Sequence, residues 1–310
     1  MSGRSLRVAL CFPGQGSQSA GMAAGLDATD AGSRLLAAAR AAGADLDPAF
    51  AGDEERLRAT EVAQPALVFT ELALAAALPP GLEVVAFAGH SVGELSALGA
   101  SGALDPEQAL RLAVERGRLM AGMREGTMAA VLGLEADVVA RLCAEMEGTV
   151  VVANLNAPGQ VVVSGAAAAV DALSTRAREA GARRVLPLKV SGAFHSPLMV
   201  EAAAEFAQLL ATVEMRVPSA PVVANVDALP VTDPVRLREG LGRQMVSPVR
   251  WSESVLRMAE MGAQALVEVG PGSVLTGLAR RIAPATPALS VDSLEAAASL
   301  EERLRAVADG

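Results

Sequence analysis

The sequence predicts an α/β fold, in which a mostly parallel, hydrolase-like sheet is covered by helices, and three observations support this prediction. Apolar runs of strand length alternate with longer helical runs, which is typical of βαβ units. Hydrophobic residues make up 52% of the chain and aromatic residues only 2%, so the core is expected to be aliphatic. The length of 310 residues suits one large domain that carries a smaller insert.

The elements of the large domain are marked by apolar runs and by residues that start helices. The first group comprises a strand at residues 6–12, a helix at 65–78 with Pro65 in its first turn, a strand at 84–88, a helix at 92–99, and a helix from the N-cap Asp105 to about Met123. The second group comprises helices at 197–211, 234–245 and 252–261, a strand at 265–269, and a helix after Gly272.

Between these groups the order of elements changes to βαββαβ, the pattern of a ferredoxin-like unit. Its six elements are expected at residues 127–133, 135–146, 149–155, 160–164, 166–180 and 184–190. Residues 156–159 (Asn-Ala-Pro-Gly) supply the turn between the two central strands. We therefore predict a ferredoxin-like small subdomain over residues 125–191, inserted into a large catalytic domain of residues 1–124 and 192–310.

The composition argues against several classes of protein. A net charge of −9 and the scarcity of aromatic residues argue against nucleic-acid binding. Cys11 and Cys143 are too few for a disulfide framework, and with two histidines they form no metal-site spacing. We expect neither a signal peptide nor a membrane span, because no basic segment precedes an apolar run and no apolar run is long enough. The sequence thus predicts a soluble, cytoplasmic protein without a metal.

A nucleophile is indicated by residues 89–93 (Gly-His-Ser-Val-Gly), which follow a predicted strand and precede a predicted helix. This is the strand–turn–helix context of the G-x-S-x-G elbow, in which a tight turn projects the serine hydroxyl from the sheet. The N–H groups at the start of the helix would face charge that develops there. We interpret Ser91 as a catalytic nucleophile; the alternative is a plain strand–helix connection.

The base that such a serine needs must be His90 or His195, the only two histidines. His90 adjoins Ser91 on a sharp turn, so its side chain should diverge from the hydroxyl and serve as support. We therefore favour His195 as the base. No acid on a loop after a strand lies between Ser91 and His195, since Asp137, Asp171 and Glu179 fall on predicted helices. A backbone carbonyl is then expected to orient the imidazole.

Arg116 stands out because it shares a helix face with apolar residues such as Leu112, Ala113 and Met120, at i, i+3 and i+4 spacing. A guanidinium on an apolar face is costly unless an anion meets it. The residues alone leave three interpretations open: a snorkelling side chain, an internal salt bridge, or a site for an anionic substrate group.

Four motifs taken together resemble those of the malonyl-CoA:acyl-carrier-protein transacylases. They are Phe-Pro-Gly-Gln-Gly-Ser-Gln at 12–18, Gly-His-Ser-Val-Gly-Glu at 89–94, Ala-Phe-His-Ser at 193–196 and Glu-Val-Gly-Pro-Gly at 268–272. The resemblance runs over essentially the whole chain, in the same order and at plausible spacing. It departs from the common pattern at Val246-Ser247, where relatives often carry Tyr-Asn, and at Ala121, where a glutamine is frequent.

The resemblance implies a ping-pong transfer through a malonyl-serine, from malonyl-CoA to the phosphopantetheine thiol of holo acyl carrier protein. His195 would activate first Ser91 and then the incoming thiol. The backbone N–H groups of Gln15 and Val92 would form the oxyanion hole. The main-chain carbonyl of Gln244 would orient the base, in agreement with the missing acid.

The resemblance also implies a malonyl-binding pocket. Arg116 would clamp the free carboxylate, since its planar fork suits bidentate binding. Phe194 resembles the residue that goes with malonyl rather than methylmalonyl, and Gln64 and Met120 resemble pocket positions. Asn154 and Asn156 resemble residues near the cleft, although turn chemistry explains them equally well.

The expected partners are malonyl-CoA and holo acyl carrier protein, with no bound cofactor, no nucleic acid, no membrane and a monomeric chain. Carrier proteins are acidic, so docking would need a local basic patch, for which the candidates are Arg183, Arg184, Lys189, Arg250, Arg280 and Arg281. The residues by themselves leave two rival classes. A serine hydrolase would lose its acyl group rapidly to water, and a docking or scaffold protein would form no acyl-Ser91.

Overall fold

The computed structural model describes residues 6–308 and is built around two β-sheets. The strands are, in chain order, β1 (Arg7–Phe12), β2 (Glu83–Gly89), β3 (Thr127–Leu132), β4 (Val150–Ala157), β5 (Gln160–Gly165), β6 (Arg184–Pro187), β7 (Val222–Val223), β8 (Pro230–Val231), β9 (Ala265–Val269) and β10 (Ala288–Val291). The helices are α1 (Asp30–Ala41), α2 (Asp47–Ala51), α3 (Thr60–Ala76), α4 (Gly93–Ala100), α5 (Pro106–Gly122), α6 (Ala136–Glu145), α7 (Ala167–Glu179), α8 (Val200–Ala211), α9 (Pro234–Arg243), α10 (Trp251–Glu260), α11 (Val274–Ile282), α12 (Leu294–Ala298) and α13 (Leu300–Ala308).

The larger sheet has the strand order β10-β9-β1-β2-β7-β8, and only the β7–β8 pair is antiparallel. The central strand β1 is buried from Val8 to Phe12, as expected for a strand covered by helices on both faces. One covering layer packs around Phe69 and Phe206, and the opposite layer packs around Trp251. The prediction of a mixed α/β fold with a mostly parallel sheet is confirmed.

The smaller sheet has the order β4-β5-β3-β6 with antiparallel pairing throughout. Its elements follow in the chain as β3, α6, β4, β5, α7 and β6, in the order expected from the sequence. Side chains of α6 and α7, among them Val139 and Leu173, bury its apolar face. The β4 strand also binds the segment before α10, since Leu155 N–H donates to the Val249 carbonyl at 2.9 Å and Val249 N–H donates to the Ala153 carbonyl at 2.8 Å.

Several expected boundaries are wrong. Pro65 does not start a helix but lies inside α3, which begins at Thr60. The N-terminal turns of α3 pack so closely on α5 that a Cβ at Gly117 would lie 3.1 Å from the Thr60 carbonyl oxygen, and this packing outweighs the missing proline N–H. The turn before β5 is shorter than expected, because Ala157 belongs to β4 and Gly159 adopts φ +68.

Other elements escaped the sequence analysis altogether. Helices α1 and α2, the two-residue strands β7 and β8, and the C-terminal elements β10, α12 and α13 were not predicted. Residues 1–5, on which the expectation about a signal peptide depends, and residues 309–310 of the predicted large domain lie outside the described residues. Between residues 6 and 308, every helix is too short or too polar to cross a membrane.

Candidate active site

The turn between β2 and α4 places Ser91 at the carboxyl edge of the larger sheet. Ser91 adopts φ +53, a left-handed conformation that is uncommon for a residue with a Cβ. The turn closes only because its flanks are glycines: a Cβ at Gly89 would lie 1.9 Å from the Gly93 carbonyl carbon, and one at Gly93 would lie 2.2 Å from the Phe12 carbonyl oxygen. The sharp turn expected from the G-x-S-x-G spacing is thus present.

The Ser91 hydroxyl faces the imidazole of His195, with 2.8 Å between Ser91 Oγ and His195 Nε2. His195 Nδ1 lies 3.0 Å from the Gln244 carbonyl oxygen and 3.1 Å from that of Ser247. Because carbonyls only accept hydrogen bonds, Nδ1 carries the proton and Nε2 is free to accept one from Ser91. The Gln244 carbonyl contact was expected; the second acceptor, Ser247, was not.

His195 is held as a neutral base. Burial and the charge of Arg116 lower the pKa of its imidazole to about 3. Its hydrogen-bond partners within residues 6–308 include no carboxylate. Of the acids considered from the sequence, Asp137 pairs with Arg141 and Glu179 pairs with Arg176 on the surface. Asp171 is exposed on α7.

His90 points away from the reactive oxygen. Its Nε2 lies 2.9 Å from Asn156 Oδ1, and its ring meets the ring of Trp251 edge-on at a centroid distance of 5.7 Å. Burial lowers the pKa of this imidazole below its ordinary value. His90 therefore packs beside the site, as expected of a supporting residue, and links the smaller sheet to the elbow.

Arg116 is the most deeply buried charge of the site, with an exposure of 0%. Its Nη1 donates to Gln64 Oε1 at 2.8 Å, and its Nη2 donates to Gln244 Oε1 at 2.8 Å and to Ser91 Oγ at 3.2 Å. Full burial excludes snorkelling, and none of the salt bridges within the described range includes Arg116. The Nε atom has no hydrogen-bond partner in that range. The guanidinium can therefore receive an anionic group.

Burial lowers the pKa of Arg116 to about 10, so the side chain still carries its charge at neutral pH. The carboxylate that balances this charge belongs to Glu94, which is 3% exposed and is separated from Arg116 by one side chain. Gln244 connects the two, because its Oε1 accepts from Arg116 while its Nε2 donates to Glu94 Oε2. Burial raises the pKa of Glu94 to about 7. The site therefore contains an Arg116–Gln244–Glu94 relay of opposite charges.

Two backbone N–H groups lie beside Ser91 without a hydrogen-bond partner among residues 6–308, those of Gln15 and Val92. The loop that carries Gln15 sits on the elbow so closely that a Cβ at Gly14 would lie 2.5 Å from the His90 carbonyl oxygen. The Gln15 side chain fixes this loop by donating to Thr60 Oγ1 at 3.1 Å. Both N–H groups are therefore free to donate to a group bound in the cleft.

One cleft brings most of the predicted residues together. Its lining includes Gln15, Gln64, His90, Ser91, Val92, Met120, Met128, Asn154, Leu188, Val190, Phe194 and His195. Arg116 and Gln244 contact the cleft through Ser91. The smaller sheet contributes Met128 and Asn154, so the cleft lies where the two sheets meet.

The predicted basic patch is only partly available. Arg250 pairs with Glu253, and Arg281 donates to Gln160 at 2.6 Å and to the Pro158 carbonyl at 2.7 Å. The other candidates, Arg183, Arg184, Lys189 and Arg280, are exposed.

Besides the Ser247 carbonyl, sequence reasoning missed Glu94 and Asn225. Glu94 received no role, although a carboxylate in the otherwise apolar α4 is the same kind of signal as Arg116 on α5. Asn225, which binds the backbone around Ser91, carried no signal, because its partners lie more than 130 residues away in the sequence.

Comparison with known proteins adds independent findings. A family model described as an acyl transferase domain matches residues 10–298. The malonyl CoA-acyl carrier protein transacylase of Haemophilus influenzae is 41% identical, over 96% of this chain and 99% of its own. An acyl carrier protein S-malonyltransferase structure from Vibrio cholerae is 40% identical with a TM-score of 0.89, covering 95% of this chain and 99% of its own. A malonyl-transacylase solved in complex with a type II PKS acyl-carrier protein is 37% identical with a TM-score of 0.88, covering 96% and 99%.

Proposed function

The chain belongs to the malonyl CoA-acyl carrier protein transacylases, which are acyltransferases, and we propose that it transfers a malonyl group from malonyl-CoA to the phosphopantetheine thiol of holo acyl carrier protein. The transfer is ping-pong and passes through malonyl-Ser91. It supplies malonyl groups for fatty-acid or polyketide synthesis.

One observation carries this proposal: a base and a buried cation without a direct salt bridge in the described range both contact the same hydroxyl oxygen. Ser91 Oγ lies 2.8 Å from His195 Nε2 and 3.2 Å from Arg116 Nη2. A nucleophile and a base suffice for many acyl groups. The buried guanidinium adds a requirement for an acyl group with a negative charge at its far end, and malonyl is such a group.

In the first half-reaction, neutral His195 takes the Ser91 proton while Oγ attacks the thioester carbonyl of malonyl-CoA. The N–H groups of Gln15 and Val92 receive the oxyanion of the tetrahedral intermediate. Collapse breaks the carbon–sulfur bond, and the proton on His195 passes to the departing CoA thiol. Malonyl-Ser91 and free CoA result.

In the second half-reaction, His195 takes the proton of the phosphopantetheine thiol, and the sulfur attacks the ester carbonyl. The same two N–H groups receive the oxyanion. The carbon–oxygen bond to Ser91 breaks, and His195 returns the proton to Oγ. The carbonyls of Gln244 and Ser247 keep the imidazole in the required tautomer in both halves.

The cleft walls select the acyl group. Arg116 binds the malonyl carboxylate, while Gln64 keeps the guanidinium in place through Nη1. Met120 lies against Gln64 with 3.3 Å between Met120 Sδ and Gln64 Nε2, and Phe194 faces the cleft next to the base. In this proposal the Phe194 ring crowds an α-methyl branch.

We further assign residues 125–191 to a ferredoxin-like small subdomain inserted in a large catalytic domain of residues 1–124 and 192–310. The assignment is supported by the βαββαβ order and by a sheet whose strands, numbered within the unit, run 2-3-1-4. This subdomain supplies one wall of the cleft.

The proposed partners are malonyl-CoA and holo acyl carrier protein. The second partner is supported by the related malonyl-transacylase solved with its acyl-carrier protein. All groups that the proposed steps use come from one chain and its two substrates, so we assign the activity to a monomer that needs no resident cofactor.

The test is to incubate the protein with malonyl-CoA, measure its intact mass, and then add holo acyl carrier protein. We expect a malonyl adduct on Ser91 that is stable in buffer and is discharged by the carrier, and no adduct on the Ser91→Ala variant. Rapid loss of the adduct to water would instead indicate a hydrolase, and the absence of any adduct would indicate a docking protein.

A further inference from the structure

Asn225 holds the backbone that leads into the nucleophile. Its side-chain Oδ1 accepts a hydrogen bond from the Ser91 N–H at 2.8 Å, and its Nδ2 donates to the Gly89 carbonyl oxygen at 2.6 Å. Asn225 is 1% exposed and touches neither the hydroxyl of Ser91 nor the imidazole of His195. One amide group thus binds two successive peptide units of the elbow.

The sheet itself brings Asn225 to this position. The short strand β7 pairs in parallel with β2, with Phe87 opposite Val222 and Ala88 opposite Val223. Asn225 follows β7 by two residues, as the elbow follows the paired part of β2. The register of two strands therefore sets an amide side chain against the turn.

Asn225 is also fixed from its other sides. Its backbone N–H donates to Glu94 Oε1 at 3.4 Å, and its carbonyl accepts from the Arg250 N–H at 3.0 Å. The Nε2 of Gln244 lies 3.5 Å from Asn225 Oδ1. These contacts leave the side chain little freedom to leave the elbow.

The elbow needs such a partner because its conformation is unfavourable by itself. A residue with a Cβ is strained in the left-handed region, and a buried N–H without a partner loses the hydrogen bond that it made to water. A relaxed turn would redirect the Ser91 hydroxyl relative to His195 and the Val92 N–H relative to the oxyanion.

We propose that Asn225 is the positioning residue of the nucleophile, which fixes Ser91 for attack through both the Oδ1 and the Nδ2 of its side-chain amide. The inference rests on the proposed function in one respect: the reaction that Asn225 would serve in the cell is the proposed acyl transfer. It concerns the reactivity of Ser91 in general, however, and a reagent other than malonyl-CoA can test it.

The test compares Asn225→Ala with the unchanged protein in two assays. The first measures the rate at which a fluorophosphonate labels Ser91, by intact mass, and the second measures malonyl transfer. We expect both the labelling rate and kcat to fall about 10- to 100-fold, since small misplacements of a reacting group have effects of this size. The KM for malonyl-CoA should change less than about threefold, because Arg116 keeps Gln64 and Gln244.

A matched control loses a helix cap far from the elbow. Asp233→Ala removes the side-chain acceptor of the Arg236 N–H, at 2.9 Å, and should lower thermal stability without slowing the labelling of Ser91. Labelling and kcat at the unchanged level in Asn225→Ala, with only a lower melting temperature, would overturn the proposal.

Asn225→Asp adds a second readout, the pH dependence of Ser91 labelling, which a merely structural role would not change. This variant also tests the proposal if Asn225→Ala does not fold. Its ionised carboxylate still accepts from Ser91 but repels the Gly89 carbonyl oxygen, whereas the protonated acid donates to that oxygen. Labelling relative to the unchanged protein should therefore rise as the pH falls. A ratio that does not change with pH would contradict the proposal.

The pH experiment must account for the charges around this position. Glu94 faces the Asn225 backbone, and Arg116 lies beyond the Gln244 amide. Asp227 follows two residues later and influences Glu94. Since these groups are present in both proteins, the ratio of the two rates isolates residue 225. If the unchanged protein forms no malonyl adduct, the acyl-transfer proposal fails while the labelling assay still tests Asn225.

Discussion

The two halves of the active site are held in different ways. Ser91 and His195 both adopt left-handed backbone conformations, with φ +53 and +58. The His195 imidazole is oriented by the main-chain carbonyls of Gln244 and Ser247. Among the described residues, Arg116 is held only by the side-chain amides of Gln64 and Gln244 and by the Ser91 hydroxyl. Apart from the Asn225 amide on the elbow, the first half is positioned by backbone groups, whereas the second half is positioned by side chains.

This difference separates reactivity from selectivity. Backbone groups keep their positions when most neighbouring side chains change, so the Ser91–His195 pair suits a step that every acyl substrate shares. A network of side chains changes with single substitutions, so the Arg116 half suits the choice among acyl groups. Substitutions in the first half should abolish the reaction, and those in the second should redistribute substrates.

The strongest test of the first half is His195→Ala. We expect kcat for malonyl transfer to fall about 10²- to 10⁴-fold, because within residues 6–308 the neutral imidazole is the only base that contacts Ser91 Oγ. Acetyl and malonyl thioesters should lose rate together. His90→Ala is the matched control, since that imidazole packs on Trp251, and its loss should mainly lower stability. Near-normal transfer by His195→Ala in a steady-state assay would refute the assignment of the base.

The second half is tested by Arg116→Ala. Removal of the buried guanidinium should lower kcat/KM for malonyl-CoA about 10²- to 10³-fold and raise the preference for acetyl-CoA, which carries no carboxylate. Arg118→Ala is the control, because this exposed arginine on the same helix pairs with Glu115. Competition between the two thioesters, with the acyl-Ser91 products identified by mass, measures the preference. Equal losses with both substrates would show that Arg116 belongs to the reactive half.

The sequence predicted best those elements whose signals are local. The buried strands β1 and β2 form continuous apolar runs, and α5 begins after Asp105, which caps it by accepting from the Glu107 N–H at 3.0 Å. The start of α3 was misjudged because packing against Gly117 carries the helix through Pro65. Strand β7 was missed because two residues have no periodicity, and it exists only through its pairing with β2.

The same distinction applies within the site. Ser91, His195 and Arg116 combine a chemically informative side chain with a local pattern, so the sequence singled them out. Ser247 contributes only a carbonyl oxygen, which any residue possesses. Asn225 contacts Ser91, which lies 134 positions away in the sequence. A local sequence pattern cannot predict such a contact.

The Arg116–Gln244–Glu94 relay is tested by the dependence of the free energy of unfolding on pH. Burial raises the pKa of Glu94 from 4.5 to about 7, so below pH 4.5 the folded and unfolded chains both hold this proton. As the pH rises, the unfolded chain loses it first, and the folded state is destabilised by roughly 3 kcal/mol once the pH exceeds 7. Glu94→Gln should abolish this decline.

The measurement is the free energy of urea unfolding at pH 4.5 and at pH 8, for the unchanged protein and for Glu94→Gln. The buried Glu71, whose pKa is also raised by burial, contributes to both proteins and cancels in the difference. Glu61→Gln, at an exposed position of α3, should behave as the unchanged protein. Parallel pH curves for the unchanged protein and Glu94→Gln would show that Glu94 does not titrate in this window.

The smallest effect is expected at Phe194, where the two halves meet. This ring lines the cleft and is joined by a peptide bond to His195, so its side chain affects selectivity while its backbone belongs to the reactive half. Phe194→Ser should raise kcat/KM for methylmalonyl-CoA relative to malonyl-CoA about tenfold, since one methyl group is worth only ~1–3 kcal/mol in a pocket. The rate with malonyl-CoA should change little, because the backbone of His195 is fixed by its own contacts. A parallel fall with both substrates, measured in competition, would mean that the Phe194 ring also supports the base, and the separation of reactivity from selectivity would not hold at this residue.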